Sequence, residues 1–246
     1  MKGLFAFALL SVISTASART FTVRNNCDFT VWPAMFTDPN AGSARPDFAT
    51  GWEAAPKTQV SFFVPNDWKA GRIWGRLQCD FSTNPGPNSC VSGGCNGGLE
   101  CAAVGGTGIP PATLAEWTLQ GAGNLDNYDV SLVDGSNIPM AITNNVNCPV
   151  ADCPVDLNAN CPAELAVPGG CNSACSANLD GNPQDSPNCC SGSHNTPDTC
   201  PSDGVQFYNF FKNACPNAYA YAFDDPTALR TCDSGLNADY TLTFCP

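Results

Sequence analysis

Sixteen cysteines in a chain of 246 residues restrict what it can fold into more than any other feature. Their meaning depends on the compartment. Residues 1–18 carry Lys2, an apolar run over 4–13 and the small triplet Ala16-Ser17-Ala18, which reads as a secretory signal peptide cut after Ala18. The apolar run is too short to span a bilayer, and no later segment reaches the roughly 20 apolar residues that a membrane helix needs. An even cysteine count in an exported chain predicts eight disulfides, not metal ligands. The single histidine, His194, also leaves Cys95…Cys101 and Cys148…Cys153 without the partners of a zinc site. No metal and no cofactor is expected.

Charge narrows the partners. Ten basic residues face 22 acidic ones, and the net charge of −12 becomes about −13 once Lys2 leaves with the signal peptide. Such a surface repels nucleic acid and anionic lipid, so neither nucleic acid nor membrane is expected as a partner, and neutral glycans remain acceptable. Mutual repulsion and the lack of a usable Asn-x-Ser/Thr sequon predict a monomer without N-linked sugar.

Short β-favouring segments at 20–23, 58–64, 71–77, 113–120, 127–133, 138–143 and 239–244 are separated by turn chemistry such as Pro85-Gly86-Pro87 and Asp134-Gly135. Many short strands with tight turns predict an all-β fold built on a flattened β-sandwich core. The core is assigned to 19–147 and 233–246. Residues 148–232 are cysteine-dense, rich in proline and asparagine, and poor in alternation, which predicts a disulfide-rich annex with short helices. In it Ser202 is read as capping a helix whose Phe207, Phe210 and Phe211 share one face. A second cysteine cluster, Cys79, Cys90, Cys95 and Cys101, encloses glycine-rich sequence over 79–101 and predicts a small disulfide-held hairpin lobe.

Motifs along the whole chain resemble the thaumatin-like family (PR-5 type). They are Arg24-Asn25-Asn26-Cys27 with Val31-Trp32-Pro33, Ala70-Gly71-Arg72-Ile73-Trp74-Gly75-Arg76 and Pro110-Pro111-Ala112-Thr113-Leu114-Ala115-Glu116-Trp117. Further along come Tyr128-Asp129-Val130-Ser131-Leu132-Val133-Asp134-Gly135, Val167-Pro168-Gly169-Gly170-Cys171, Asp224-Asp225-Pro226-Thr227 and Phe244-Cys245-Pro246. The hairpin over 81–89 and the Glu116-Trp117 pair look most like fungal members. Ser92-Gly93-Gly94 departs from the family's Thr-Gly-Asp, so one family acid is missing. Spacing alone leaves about two million ways to pair sixteen cysteines. The resemblance implies Cys27–Cys245, Cys79–Cys90, Cys95–Cys101, Cys148–Cys232, Cys153–Cys215, Cys161–Cys171, Cys175–Cys189 and Cys190–Cys200.

The resemblance also implies an acidic cleft between core and annex, holding Arg72, Glu116, Asp129, Asp134 and Asp224. Glycoside hydrolysis needs two carboxyl groups, one protonated to feed the leaving oxygen and one ionised as base or nucleophile. Glu116, one of four glutamates, is read as the general acid, and Asp134 is favoured over Asp129 as the second catalytic carboxylate. Arg72 and Asp224 are read as substrate-binding. Asp129 and Asp134 lie five residues apart, so a regular strand would aim them to opposite faces; both reach one cleft only if the chain bends near Asp134-Gly135.

Each residue also has a plainer role available. Asp134-Gly135 is a strong turn signal in itself, Asp224-Asp225-Pro226 is ordinary turn composition, Glu116 fits a solvated strand face, and Arg72 shares strand parity with Trp74. His194 lies in a Ser191-Gly192-Ser193 loop with no Gly-x-Ser-x-Gly elbow, and the glycines at 93–98 precede no Lys-Ser/Thr, so neither a serine or cysteine triad nor a phosphate loop is expected. The expected function is that of a secreted thaumatin-like protein acting on β-1,3-glucan. It would act as a weak endo-β-1,3-glucanase, as a glucan binder, or as both, in wall remodelling or antifungal defence. The alternative is a non-catalytic protein-binding scaffold that inhibits a secreted hydrolase.

Overall fold

The computed structural model describes residues 18–82 and 85–246. The signal peptide, but for Ala18, and two residues of the 81–89 hairpin lie outside them. Twelve strands are described: β1 (Ala18–Asn25), β2 (Trp32–Thr37), β3 (Gln59–Pro65), β4 (Gly71–Arg76), β5 (Leu114–Thr118), β6 (Leu125–Ser131), β7 (Met140–Asn144), β8 (Ala151–Cys153), β9 (Ala166–Val167), β10 (Gly170–Cys171), β11 (Arg230–Asp233) and β12 (Tyr240–Phe244). They form two five-stranded sheets, in the orders β3-β1-β12-β7-β8 and β11-β6-β5-β4-β2, plus the small β9–β10 pair.

Alternation drives the stacking of the sheets, because period-2 patterns bury one face and leave the other polar. In β1 Phe21 and Val23 face inward; β3 adds Phe62 and Val64, β7 Met140 and Ile142, and β12 Tyr240, Leu242 and Phe244. They meet Met35, Ile73, Ala115, Trp117, Tyr128 and Val130 of the other sheet. Each such side chain contributes about 1.5–3 kcal/mol by leaving water. The first and last strands lie side by side, β1 parallel to β12 with Phe21 opposite Tyr240, and the Cys27–Cys245 bridge closes that seam across 218 residues.

Beneath this seam lies a buried polar knot. Arg19 and Asp126, both fully buried, form an ion pair. Asp126 also accepts from Ser234 Oγ at 2.6 Å, Tyr240 Oη at 2.9 Å and the Gln120 amide at 3.2 Å. A buried charge of this kind is tolerated because its lone pairs are satisfied.

Strand β2 contains Pro33, which argues against a central strand; the fold accommodates it by making β2 an edge strand. The region expected as annex gives both its ends to the sandwich, since β8 pairs with β7 and β11 pairs with β6. Between them the chain is held by Cys161–Cys171, Cys175–Cys189 and Cys190–Cys200, while Cys148–Cys232 and Cys153–Cys215 tie it to the core. The helix expected from Ser202 begins later: Ser202–Gly204 is a single 3-10 turn, Phe207 adopts a left-handed backbone, and α1 runs over Tyr208–Ala214. Phe211 is buried, whereas Phe207 and Phe210 pack only partly against the core. A second short helix, α2, spans Asp225–Ala228.

The cysteine lobe, bridged by Cys79–Cys90 and Cys95–Cys101, is an irregular hairpin at its base, where Leu77 pairs antiparallel with Ser92 and the Asp80 amide donates to Ser89 O at 2.7 Å, and its other described residues are mostly turns. It covers one end of the outer face of the β2–β6 sheet, where Cys95 and Cys101 pack on Ala34, Phe36, Trp74 and Leu114. Arg76 clamps it there. The fully buried guanidinium donates to the carbonyls of Gly98 and Leu99, each at 2.7 Å, and burial lowers its pKa to about 10. Trp74 Nε1 donates to Gly93 O at 2.7 Å.

Candidate functional site: an acidic cleft on the outer sheet face

The lobe leaves the other end of that outer face open, and the candidate residues gather there. Register sets the arrangement: Arg72 on β4 lies directly opposite Glu116 on β5, and Glu116 lies directly opposite Asp129 on β6. Three side chains on adjacent strands therefore form one row on one face, at the roughly 5 Å spacing of cross-strand neighbours. Arg72 Nη2 meets Glu116 Oε1 at 3.1 Å, and each side chain is 30 % exposed. Strand parity puts Arg72 and Trp74 on the same face, yet Trp74 is buried under the lobe and the partner of Arg72 is Glu116.

Asp134 reaches this face through the bend that the odd offset from Asp129 demanded. Strand β6 ends at Ser131, and the chain turns with Gly135 at φ +85°. A Cβ on Gly135 would lie 2.5 Å from the Cys171 carbonyl oxygen, so this turn requires glycine. Asp134 and Asp129 then line the same hollow of about 240 Å³ with Arg72, Glu116, Ser131 and Tyr219. A neighbouring hollow of about 250 Å³ shares Arg72, Glu116 and Asp129 and runs on past Ala70, Thr118, Asn127 and Leu229. The acids thus sit in the middle of a groove, not at its end.

Asp224 is placed differently from the other four. It is 3 % exposed, and its carboxylate accepts from Lys212 Nζ (2.9 Å), the Ala220 amide (2.9 Å), Thr227 Oγ1 (2.7 Å) and Tyr208 Oη (3.3 Å). Its oxygens are occupied in holding α1 to the 220–227 turn, which leaves nothing to offer a substrate. Its neighbour Asp225 is exposed and bonds the Tyr219 hydroxyl.

The electrostatics follow from crowding in a half-buried site. Burial raises the Asp129 carboxyl well above the usual range, and Glu116 and Asp225 push it further while Arg72 opposes. Glu116 is also raised by burial, with Arg72 pulling down and Asp134 pushing up. Asp134 is raised by burial and lowered by Arg72. Tyr219 is pushed up by burial and by Asp129, so it remains a hydrogen-bond donor.

Reading strands and motifs did not single out Tyr219, Ser131 or Asp225. Tyr219 stands on the cleft wall because its segment pairs with β6: its amide donates to Val130 O at 2.9 Å and its carbonyl accepts from Leu132 N at 2.8 Å. The alternation Tyr219-Ala220-Tyr221-Ala222-Phe223 was the available signal. Among the described residues, no group of three or more His, Cys, Asp or Glu is arranged to hold a metal ion, and no helix is long and apolar enough to cross a membrane.

Comparison with known proteins agrees with this architecture. The Thaumatin family model matches residues 25–246. Pathogenesis-related thaumatin-like protein 3.5 of Cryptomeria japonica is 42 % identical over 240 residues, covering 94 % of this chain and 91 % of the relative. A Prunus avium protein named glucan endo-1,3-beta-glucosidase is 39 % identical over 241 residues, covering 94 % and 92 %. The lean toward fungal members is not supported, because the matching relatives are plant proteins. Among solved structures, a family 64 laminaripentaose-producing β-1,3-glucanase from Paenibacillus barengoltzii, complexed with laminarihexaose, superposes with a TM-score of 0.54 over 94 % of this chain and 75 % of that one. At 11 % identity this likeness is one of fold alone.

Proposed function

The chain belongs to the thaumatin family, and from that premise we propose that it is a secreted protein whose acidic cleft takes β-1,3-glucan, binding the chain and hydrolysing it as a weak endo-β-1,3-glucanase. The observation that carries this reading is the row Arg72–Glu116–Asp129 across three paired strands, with Asp134 closing the same hollow. It supplies carboxyl groups with unlike environments, which is what glycosidic cleavage requires. A groove continuing on both sides of the acids suits an internal stretch of polymer.

In this reading the proton sits on Asp129 and not on Glu116. Arg72 is bonded to Glu116 and favours its ionised form, whereas among the described residues no salt bridge is made by Asp129. Asp129 would protonate the leaving glycosidic oxygen, and Glu116 would meet the positive charge that develops on the sugar ring. Asp134 lines the same hollow and is the second carboxylate available to orient water. Eight disulfides fit an oxidising, extracellular setting.

Co-sedimentation with insoluble linear β-1,3-glucan, competed by soluble β-1,3-glucan, tests the substrate class. The protein should leave the supernatant and return with competitor. Failure to co-sediment rejects glucan and favours a protein-binding scaffold.

A further inference from the structure

We propose that the hollow over Thr118 and Asn127 receives the departing part of the glucan, so that the polymer lies in the groove with its reducing end over these two residues; this deepens the function proposed above and rests on it. The outer face of the sheet continues past the acid row in the same register. Thr118 on β5 lies directly opposite Asn127 on β6, and Asn127 lies opposite Thr231 on β11. Thr118 is two residues beyond Glu116 and Asn127 two before Asp129, so this second row shares the cleft face, roughly 7 Å from the first. Its side chains are short, polar and uncharged. Thr118 and Asn127 line the hollow of about 250 Å³ that also contains Arg72, Glu116 and Asp129, so both rows belong to one groove.

The two side chains have hydrogen-bonding capacity to spare. Thr118 Oγ1 accepts from the Ala70 amide at 3.2 Å and keeps its own proton to donate. Asn127 Nδ2 donates to Leu125 O in a long contact of 3.4 Å, and among the described residues no hydrogen bond is made by its Oδ1. Gly121 keeps the space beside them open, since a Cβ there would lie 2.6 Å from Asn127 Nδ2. Leu229 adds an apolar surface, and past the acid row no charged side chain lines this hollow. A sugar ring, with hydroxyls at its edge and C–H groups on its face, suits such a lining.

Asp134 gives the direction. It lines the hollow of about 240 Å³ and not this one, whereas Asp129 lines both. In hydrolysis, water approaches the anomeric carbon on the side away from the bond that breaks. The water oxygen bonds to that carbon as the glycosidic C–O bond breaks; one water proton passes to Asp134, and the proton of Asp129 goes to the departing oxygen. The sugar that keeps the anomeric carbon therefore lies on the Asp134 side. Asp129 stands at the junction, and the departing chain lies over Thr118 and Asn127.

The test compares two substrates of the unmodified protein and of the double variant Thr118→Val/Asn127→Leu. One is a linear β-1,3-oligosaccharide. The other is the nitrophenyl glycoside of such an oligosaccharide, whose leaving group has no sugar hydroxyls. The ratio of kcat/KM for the oligosaccharide to that for nitrophenol release should fall about tenfold in the double variant, as for loss of a pair of hydrogen bonds. Partial unfolding would lower both rates alike and leave the ratio unmoved. Thr118→Ser, which keeps the hydroxyl, should hold the ratio of the unmodified protein. An unchanged ratio in the double variant, or a fall in nitrophenol release as large as that on the oligosaccharide, overturns the leaving-group site while the cleft's hydrolytic function stands. No release from either substrate by the unmodified protein overturns that function and the direction assigned here with it.

Discussion

Arg72 and Glu116 face each other across paired strands at 3.1 Å, and Asp129, the next residue in that row, forms no salt bridge among the described residues. One cation beside three carboxyl groups cannot keep all of them ionised in a half-buried cleft, and this imbalance governs the pH behaviour expected of the protein.

Hydrolysis should follow a bell-shaped pH profile with a mildly acidic optimum. The descending limb belongs to loss of the proton held by Asp129, whose pKa is raised by burial and by Glu116, and the ascending limb to ionisation of the Glu116 carboxyl. Asp225→Asn removes one of the charges that push Asp129 upward, so it should move the descending limb to lower pH. Initial rates across pH check both, and a neutral or alkaline optimum contradicts the assignment.

Stability should respond to the same group in the opposite sense from a salt-bridged acid. The folded-state pKa of Asp129 is above its unfolded value, so the folded state binds the proton more tightly and stability falls as pH rises through that interval. Asp129→Asn should therefore raise Tm at pH 7, by roughly 2–4 °C per kcal/mol relieved, and leave it unchanged near pH 3. Calorimetry at the two pH values decides this; a lower Tm at pH 7 contradicts it.

Asp224 and its neighbour should separate cleanly. Asp224→Ala removes a buried carboxylate that accepts four hydrogen bonds and leaves the mostly covered Lys212 ammonium with only the Ala218 carbonyl, which costs on the order of 3 kcal/mol. Chemical denaturation should show that loss, while Asp225→Asn should leave the denaturation midpoint within about 0.5 kcal/mol of the unmodified protein. Equal midpoints for Asp224→Ala and the unmodified chain would return Asp224 to the list of binding residues.

Opening the Cys27–Cys245 bridge by a paired serine substitution should cost roughly 2–5 kcal/mol, because it frees a loop of 218 residues in the unfolded chain. Denaturation midpoints measure this, and an unchanged midpoint would mean the β1–β12 seam holds without it.

These contrasts also mark what the sequence made legible. Alternation in β1, β3, β6 and β12 announced a two-layer β fold, because each buries one face against the other sheet. Strand β2 went unread, since Pro33 argues against a strand until one knows it lies at a sheet edge, and its burial is nearly continuous. The offset between Asp129 and Asp134 already required a bend at Asp134-Gly135. By contrast, the occupied carboxylate of Asp224 depends on Lys212, Ala220 and Thr227 converging around it, which no local pattern conveys. The pairing of Arg72 with Glu116 was equally hidden, because it depends on which carboxyl lies opposite it across the sheet.

In the proposed function this cleft cleaves β-1,3-glucan with Asp129 supplying the proton. Release of reducing ends from linear β-1,3-glucan at mildly acidic pH, by the unmodified protein and by Asp129→Asn, tests it most directly. Measurable release is expected from the unmodified protein, falling by about a hundredfold or more in Asp129→Asn, as for loss of general-acid assistance, while glucan binding is retained. No release by the unmodified protein, or undiminished release by Asp129→Asn, would contradict it.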